Sequence, residues 1–352
     1  MRSVSWLVLL TVATGLFACG GGGGGETTAP PPPNPLYVRI TGNNTNSGAS
    51  PASALQSISK AMQLALDGYT IIVGGGTYLE GVTSSRTGGS AEHIQLLADV
   101  SGAQTGDSGP VVISAEGNAV PTALTIAQSP GTVVDGFIIT GSSDAGIVIK
   151  SSSTGLTIQN CIVFNNAGDG IRVQDSAQVV LFNNLVYGNA GIGLNITGSI
   201  SGSPDARVLN NTVALHRSRG ITIGQSQVAS PRTLLRNNII YGNTGDASIK
   251  VFTPPPSSVP RSDVGYDEDF DLMLPFTVIP FGLETGVHDV TADPQFVQPS
   301  VGNFRVSADS PAIGAGIASA LSASQAAILR ARTVTGTNLD GNANALGFHY
   351  LP

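Results

Sequence analysis

Short runs in which apolar and polar residues alternate recur along the middle of the chain, each beginning at a glycine. Gly146-Ile147-Val148-Ile149-Lys150 is followed by Gly170-Ile171-Arg172-Val173-Gln174, Gly193-Leu194-Asn195-Ile196-Thr197 and Gly220-Ile221-Thr222-Ile223-Gly224. Ser248-Ile249-Lys250-Val251-Phe252 is a looser fifth copy, and the four glycines are 24, 23 and 27 residues apart. A second β-branched run lies between copies: Cys161-Ile162-Val163-Phe164, Asn184-Leu185-Val186-Tyr187, Asn211-Thr212-Val213-Ala214 and Asn238-Ile239-Ile240-Tyr241. Period-2 alternation puts Ile147/Ile149, Ile171/Val173, Leu194/Ile196 and Ile221/Ile223 on one face of successive strands. About two dozen residues hold two or three short strands with their turns and leave no room for a helix. One such unit cannot bury its apolar face alone, so the repeats predict stacked coils around a continuous aliphatic core. The Leu-x-x-Leu-x-Leu pattern of the competing leucine-rich solenoid is absent.

Asparagines punctuate the turns at 160, 183, 184, 210, 211, 237 and 238, and again at 166, 189 and 243. Asparagine tolerates left-handed backbone and bonds its own main chain, so these positions read as coil corners linked side chain to side chain. Cys161 falls in a core-like column and reads as a small buried hydrophobe. Upstream, Leu55, Ile58, Met62 and Leu66 have helical spacing over 53–66, with Ser53 as N-cap and Gly68 just beyond. This helix is expected to plug the first coil, and residues 69–73 to form the first buried strand.

Tyr37-Val38, Thr41-Gly42-Asn43, the helix, Thr70-Ile71-Ile72-Val73 and Gly76-Thr77-Tyr78 resemble the N-terminus of pectate-lyase-like β-helix proteins. Asp293-Pro294-Gln295-Phe296, Asn303-Phe304-Arg305-Val306 and the run from Ser310 to Gly316 resemble the end of the bacterial surface-anchored members, the choice-of-anchor proteins. Asp340-Gly341-Asn342 fits as well, whereas Gly347-Phe348-His349-Tyr350 departs from the Gly-Ala-Tyr ending. The resemblance implies an all-β, single-stranded right-handed parallel β-helix with an N-terminal capping helix, and a carbohydrate-related role. The expected organisation is a cap and first coil over 37–80, regular coils over 122–252, and an acidic loop with a C-terminal cap over 253–352.

The first 35 residues bear on location. Arg2, an apolar stretch through Phe17 and small residues before Cys19 have the anatomy of a secretory signal over 1–18. Leu16-Phe17-Ala18-Cys19 resembles a lipobox with Cys19 as the lipidated residue; ordinary cleavage near Ala18 is the alternative. A glycine run at 20–25 and prolines at 30–33 and 35 form a tether over 19–35. An exported monomer is expected, held at the outer membrane or cell surface by its lipid alone. Charged residues make up 11% of the chain and the net charge is −7, so no global basic field exists to attract nucleic acid.

Within 144–250, however, there are eight basic and five acidic residues, a local excess suited to an acidic polysaccharide. Stacking places Val148, Arg172, Asn195, Thr222 and Lys250 in one outward column, and Lys150, Gln174, Thr197, Gly224 and Phe252 in another. The preceding turn adds Ala145, Asp169, Ile192, Arg219 and Asp246. Coils lie ~4.8 Å apart, which puts Lys150 about 8 Å from Arg172 and Arg172 about 14 Å from Lys250. Uronate β-elimination needs neutralisation of the carboxylate, a base for the adjacent proton and an acid for the leaving oxygen. Lys150, Arg172 and His216 are the candidate catalytic residues, with Lys150 favoured as base because arginine holds its proton too tightly. Asp169, Asn195, Arg219 and Lys250 are candidate substrate-binding residues; solvated surface polarity is the plainer reading of all of them. Glycoside hydrolysis would need two carboxylates about 5–10 Å apart, for which Asp144, Asp169 and Asp175 are the available acids on the first three repeats.

Eight acidic and no basic residues lie in 263–293. Asp267, Asp269 and Asp271 offer hard oxygen donors at close spacing and are the candidate Ca²⁺ ligands, against a solvated acidic loop. Two function classes stay open on sequence: a polysaccharide lyase (or a hydrolase), and a non-catalytic glycan-binding or adhesion module.

Overall fold

The computed structural model describes residues 34–85, 93–117, 120–151, 153–174, 178–197, 206–224, 233–251, 266–275, 278–279, 286–335 and 345–351. Its strands stack into three long parallel sheets of nine, eight and eight strands, wound as a right-handed solenoid. Each coil contributes one strand to each sheet in turn. The coil Thr157–Gln159, Ile162–Phe164 and Ile171–Gln174 is followed by Val180–Phe182, Leu185–Tyr187 and Leu194–Thr197. The strand beginning each coil, with Ile158, Leu181, Val208 and Leu235 buried inside, completes the two strand types visible in the repeat.

The anticipated register holds in the third sheet. Ile147 pairs with Ile171, Ile171 with Leu194, Leu194 with Ile221 and Ile221 with Ile249. These residues, with Ile149, Val173, Ile196, Ile223 and Val251, are buried in one aliphatic core that runs the length of the solenoid. Complete burial of each is worth roughly 1.5–3 kcal/mol, the driving force for adding a coil. The repeated glycine has a packing cause: a Cβ on Gly146 would stand 2.7 Å from Val163 Cγ1 and 2.7 Å from Asn166 Nδ2. The third strand thus begins where the ladder and the second sheet leave space for backbone only.

Three asparagine ladders turn the corners. Between the first and second sheets Asn184, Asn211, Asn238 and Asp271 each accept the preceding coil's amide, from Cys161 N at 3.0 Å through Asn238 N at 2.6 Å. Before the third sheet, Asn166, Asn189, His216 and Asn243 do the same. The outer corner residues Asn160, Asn183, Asn210 and Asn237 adopt φ of 57°, 52°, 54° and 63°, the left-handed backbone that asparagine tolerates.

The N-terminal helix is shorter than its pattern. It spans Ile58–Leu64, and Ser57, not Ser53, accepts from Lys60 N as its cap; Ser53 ends the 3₁₀ turn Pro51–Ser53. Glu80 adds a second cap, accepting from Ile58 N at 2.8 Å and Ser59 N at 2.9 Å. Ile58, Ala61 and Met62 are buried against the first coil, while Leu66 lies beyond the helix and is 44% exposed.

The C-terminal segment runs back along the side of the solenoid. Ala323–Arg330 packs Ala326 and Leu329 on Phe182 and Leu209 of the first sheet. Phe304 and Phe348 cover Leu185 and Ala214 of the second. The outer asparagines hold its backbone: Asn183 accepts from His349 N at 2.6 Å, and Asn210 donates to Ala345 O at 3.0 Å. At the last coil, Val290 bridges to Leu272 and extends the second sheet by one residue. Among the described residues, no third-sheet residue belongs to the hydrophobic clusters formed by this segment.

Candidate functional site

The outward column of the third sheet is as the alternation predicts: Val148 pairs with Arg172, Arg172 with Asn195, Asn195 with Thr222 and Thr222 with Lys250. Parallel pairing therefore brings the turn preceding each strand onto the turn of its neighbour, and two polar clusters form there.

The first centres on Arg172. Its Nη1 and Nη2 donate to Asp144 Oδ2 and Oδ1 at 2.9 and 2.8 Å, and its Nε donates to Asp169 Oδ2 at 2.8 Å. Asn195 Nδ2 donates to the same Asp169 oxygen at 2.9 Å, and Ile192 N to the other at 2.9 Å. Burial works against the guanidinium charge, but the bonds to Asp144 and Asp169 outweigh it and hold the proton more tightly than on a free arginine. Arg172 is thus no general base, contrary to its candidacy from sequence. The acid pair considered for hydrolysis is committed as well, since Asp144 and Asp169 grip one cation; Asp175 lies outside the described residues.

The second cluster lies further along the axis. Arg219 donates through Nε and Nη2 to the two oxygens of Asp246, and Lys250 Nζ donates to Asp246 Oδ2 at 3.0 Å. The Arg219 bonds, helped by Lys250, lower the Asp246 carboxyl to about 2 against a small opposing effect of burial. Between the clusters stands Thr222, 3% exposed, whose Oγ1 has no hydrogen-bond partner among the described residues. Lys150 is exposed at the exit end of its strand.

His216 does not share this surface. It is fully buried, its Nδ1 accepting from Asn189 N at 3.2 Å and its Nε2 lying 3.1 Å from Val186 O. Burial pushes its pKa down to about 4, so the ring is neutral and serves as an asparagine substitute in the ladder. The spacing placed it correctly in the slot of Asn166, Asn189 and Asn243; the error was to read that slot as outward.

The three candidate Ca²⁺ ligands do not converge. Asp267 pairs with Arg236 at 2.8 Å, and Asp269 with His288 Nδ1 at 2.9 Å. Asp271 is wholly buried as the last rung of the inner ladder. Alternation along Tyr266–Asp269 leaves Asp267 and Asp269 on the outward face, where each is taken by its own cationic partner, and the corner at Phe270 turns Asp271 inward. Among the described residues no group of three or more His, Cys, Asp and Glu is gathered to hold a metal. Two features had no signal in sequence: the Asp269–His288 pair, whose imidazole stacks on Phe270 at 4.2 Å, and the burial of Glu268. Cys19 and the tether lie outside the described residues.

Comparison with known proteins agrees with this architecture. Residues 112–213 match a family model described as the right-handed β-helix region. No curated protein matches in sequence. Among solved structures, a pectate lyase is similar at 14% identity, with a TM-score of 0.49 over 81% of this chain and 92% of its own. An alginate lyase from Paenibacillus is similar at 16% identity, with a TM-score of 0.43 over 60% and 72%. A rhamnogalacturonan lyase follows at 11%, with a TM-score of 0.40 over 75% and 90%. With TM-scores below 0.5, these likenesses carry no argument about this chain.

Proposed function

We propose that this protein is an exported, carbohydrate-active β-helix that binds a polysaccharide at the turns leading into the third sheet. The observation that carries the reading is the Arg172 cluster, in which Asp144 and Asp169 are locked on one guanidinium and Asn195 on Asp169. Sugar hydroxyls donate and accept at once, so they are well met by carboxylates, amides and guanidinium groups fixed in advance. Asp144, 43% exposed at its side chain, keeps lone pairs within reach of such a hydroxyl. Fixing these groups by ion pairs lowers the ordering cost of binding.

The same locking weighs against β-elimination at this face, because Arg172 has no lone pair to take a proton and His216 is buried. A lyase reading survives on one residue, the exposed Lys150, which needs no rearrangement to approach a ligand. The signal-like leader, the lipobox-like Cys19 and the tether support placement at the cell surface, where a glycan is at hand.

The test is calorimetric binding of pectate, alginate, hyaluronan and chondroitin to the purified full chain, with ultraviolet detection of unsaturated products in the same samples. Binding that falls at least tenfold in Arg172→Ala without product formation supports the binding reading. Unsaturated product lost in Lys150→Ala would replace it with the lyase. Absence of binding to all four polymers would overturn the proposal.

A further inference from the structure

The inner asparagine ladder makes one further contact beyond its last rung. Asn184 Oδ1 accepts from Cys161 N, Asn211 from Asn184 N, Asn238 from Asn211 N and Asp271 from Asn238 N. Asp289 stands past the last coil, in the turn 286–290, and repeats the pattern: its Oδ1 accepts from Asp271 N at 3.2 Å. Other bonds seat the same turn. Gly286 N donates to Glu268 Oε2 at 3.3 Å, His288 N to Asp269 Oδ1 at 2.9 Å and Val290 N to Asp271 O at 2.8 Å. A Cβ on Gly286 would stand 2.7 Å from Asp289 Oδ1, so only glycine lets the chain come this close.

Each earlier rung also donates. Nδ2 of Asn184 reaches Asn211 Oδ1 at 3.0 Å, that of Asn211 reaches Asn238 Oδ1 at 3.1 Å and that of Asn238 reaches Asp271 Oδ1 at 3.0 Å. The same nitrogens donate inward to Ile158 O, Leu181 O and Val208 O. Asp271 gives its Oδ1 to Asn238, so its Oδ2 takes the place of the ladder nitrogen. In the ladder that place meets acceptors only, the next rung's oxygen and an inward carbonyl. Asp271 is wholly buried, and neither its Oδ2 nor that of Asp289 has a hydrogen-bond partner among the described residues. Ionised, Asp271 would face a second carboxylate away from water. A proton on Oδ2 makes it the donor that the ladder has at every earlier rung. Burial raises the Asp271 pKa well above the usual value and Asp289 adds to this, in keeping with that proton. Neighbouring cations do not replace it: Arg236, the smallest of the influences on Asp271, is held by Asp267, and His288 is held by Asp269. Glu268, buried on the strand leading into Asp271, adds a carboxylate at Gly286 N.

We infer that turn 286–290 is a latch fastened to the last coil by one proton, which Asp271 Oδ2 donates to the Asp289 carboxylate, and that it loosens as the medium turns from acidic to alkaline. The closed turn binds a proton that the opened turn releases, so closure is complete at acidic pH and is lost as pH rises through the closed-state pKa of Asp271. The coils themselves keep their hold, because their own rungs are asparagines.

The experiment is hydrogen exchange of the full chain, read by mass spectrometry from mildly acidic to alkaline pH and corrected for the intrinsic pH dependence of amide exchange. Protection across 286–290, relative to coil peptides covering 171–196, is expected to fall at least tenfold over this range. Asp271→Asn supplies the ladder donor at every pH and is expected to keep the turn protected and abolish the fall. Asp289→Asn keeps an Oδ1 but removes the facing charge, and is expected to shrink the fall. His288→Ala is expected to lower protection yet leave the fall in place, which separates the latch from titration of the imidazole. Each variant is checked for unchanged circular dichroism. Wild-type protection that stays constant relative to the coils, a fall undiminished in Asp271→Asn and Asp289→Asn, or one that vanishes in His288→Ala, would overturn the inference.

Discussion

Arg172 lays both Nη groups on Asp144, one coil earlier, while its Nε reaches Asp169, three residues before it in the chain. One side chain thus joins two coils at the turn where the third sheet begins, and the charged pair is fixed before any ligand arrives.

Removing either end of this bridge is expected to act unequally. Asp144→Ala leaves Arg172 paired with Asp169 and removes a bond at a side chain 43% exposed, so stability should fall by less than about 1 kcal/mol. Arg172→Ala leaves two carboxylates facing each other, one of them only 10% exposed at its side chain, and should cost more, about 1–3 kcal/mol. Urea unfolding of both variants measures the difference; equal losses would contradict the bridge geometry.

His216 is expected to be a structural residue with a pH signature. Its folded pKa of about 4 lies below the ordinary histidine value of 6.5, so the unfolded chain takes up the proton first as pH falls. Its effect is therefore a loss of stability as pH drops through that window. His216→Asn restores the ladder's common residue and should flatten this loss while leaving glycan binding unchanged. His216→Ala strands Asn189 N and should cost about 1–3 kcal/mol. Melting curves from mildly acidic to neutral pH, with binding measured alongside, check both statements.

Asp271 carries the opposite sign. Burial raises its pKa well above the usual value and nearby Asp289 adds to this, against the Asn238 amide and a distant pull from Arg236. The folded state holds the proton that the unfolded chain releases, so this group's stabilisation is present at low pH and lost as pH rises through the folded pKa. The other rungs are asparagines, whose Nδ2 donates inward as Asn238 does to Val208 O at 2.9 Å. Asp271→Asn supplies that donor at every pH. It should raise the melting temperature, and by a larger margin at neutral than at acidic pH; a constant margin would argue against the protonated rung.

Asn183→Gly tests how the C-terminal segment is held. Glycine keeps the left-handed corner at φ 52° and deletes only the side chain, which both accepts from His349 N and donates to His349 O. Loss of these two bonds, with the donation from Nδ2 to Asn160 Oδ1, should cost about 1–3 kcal/mol and speed proteolysis within 345–351 relative to the coils, as followed by mass spectrometry.

Sequence by itself determined the solenoid, its register and its aliphatic core. Alternating residues such as Ile171 and Val173 repeat at one coil length, and only stacking buries all of them. It determined the corner asparagines too, because the left-handed backbone at Asn183 and Asn210 admits few residue types. It also placed Arg172, Asn195, Thr222 and Lys250 in one column, since parallel pairing without slippage turns equal offsets into neighbours. What it did not determine is which slots face inward at a turn, where period 2 no longer applies. His216 and Asp271 occupy corner slots whose direction is set by the backbone bend, and there they are buried; for the same reason Asp271 parts company with Asp267 and Asp269. The grip of Arg172 on Asp144, and the return of the C-terminal segment along two sheets, were decided by the tertiary structure alone. The bond from Arg172 to Asp144 spans 28 residues and that from His349 to Asn183 spans 166, and contacts of that reach leave no local pattern in the sequence.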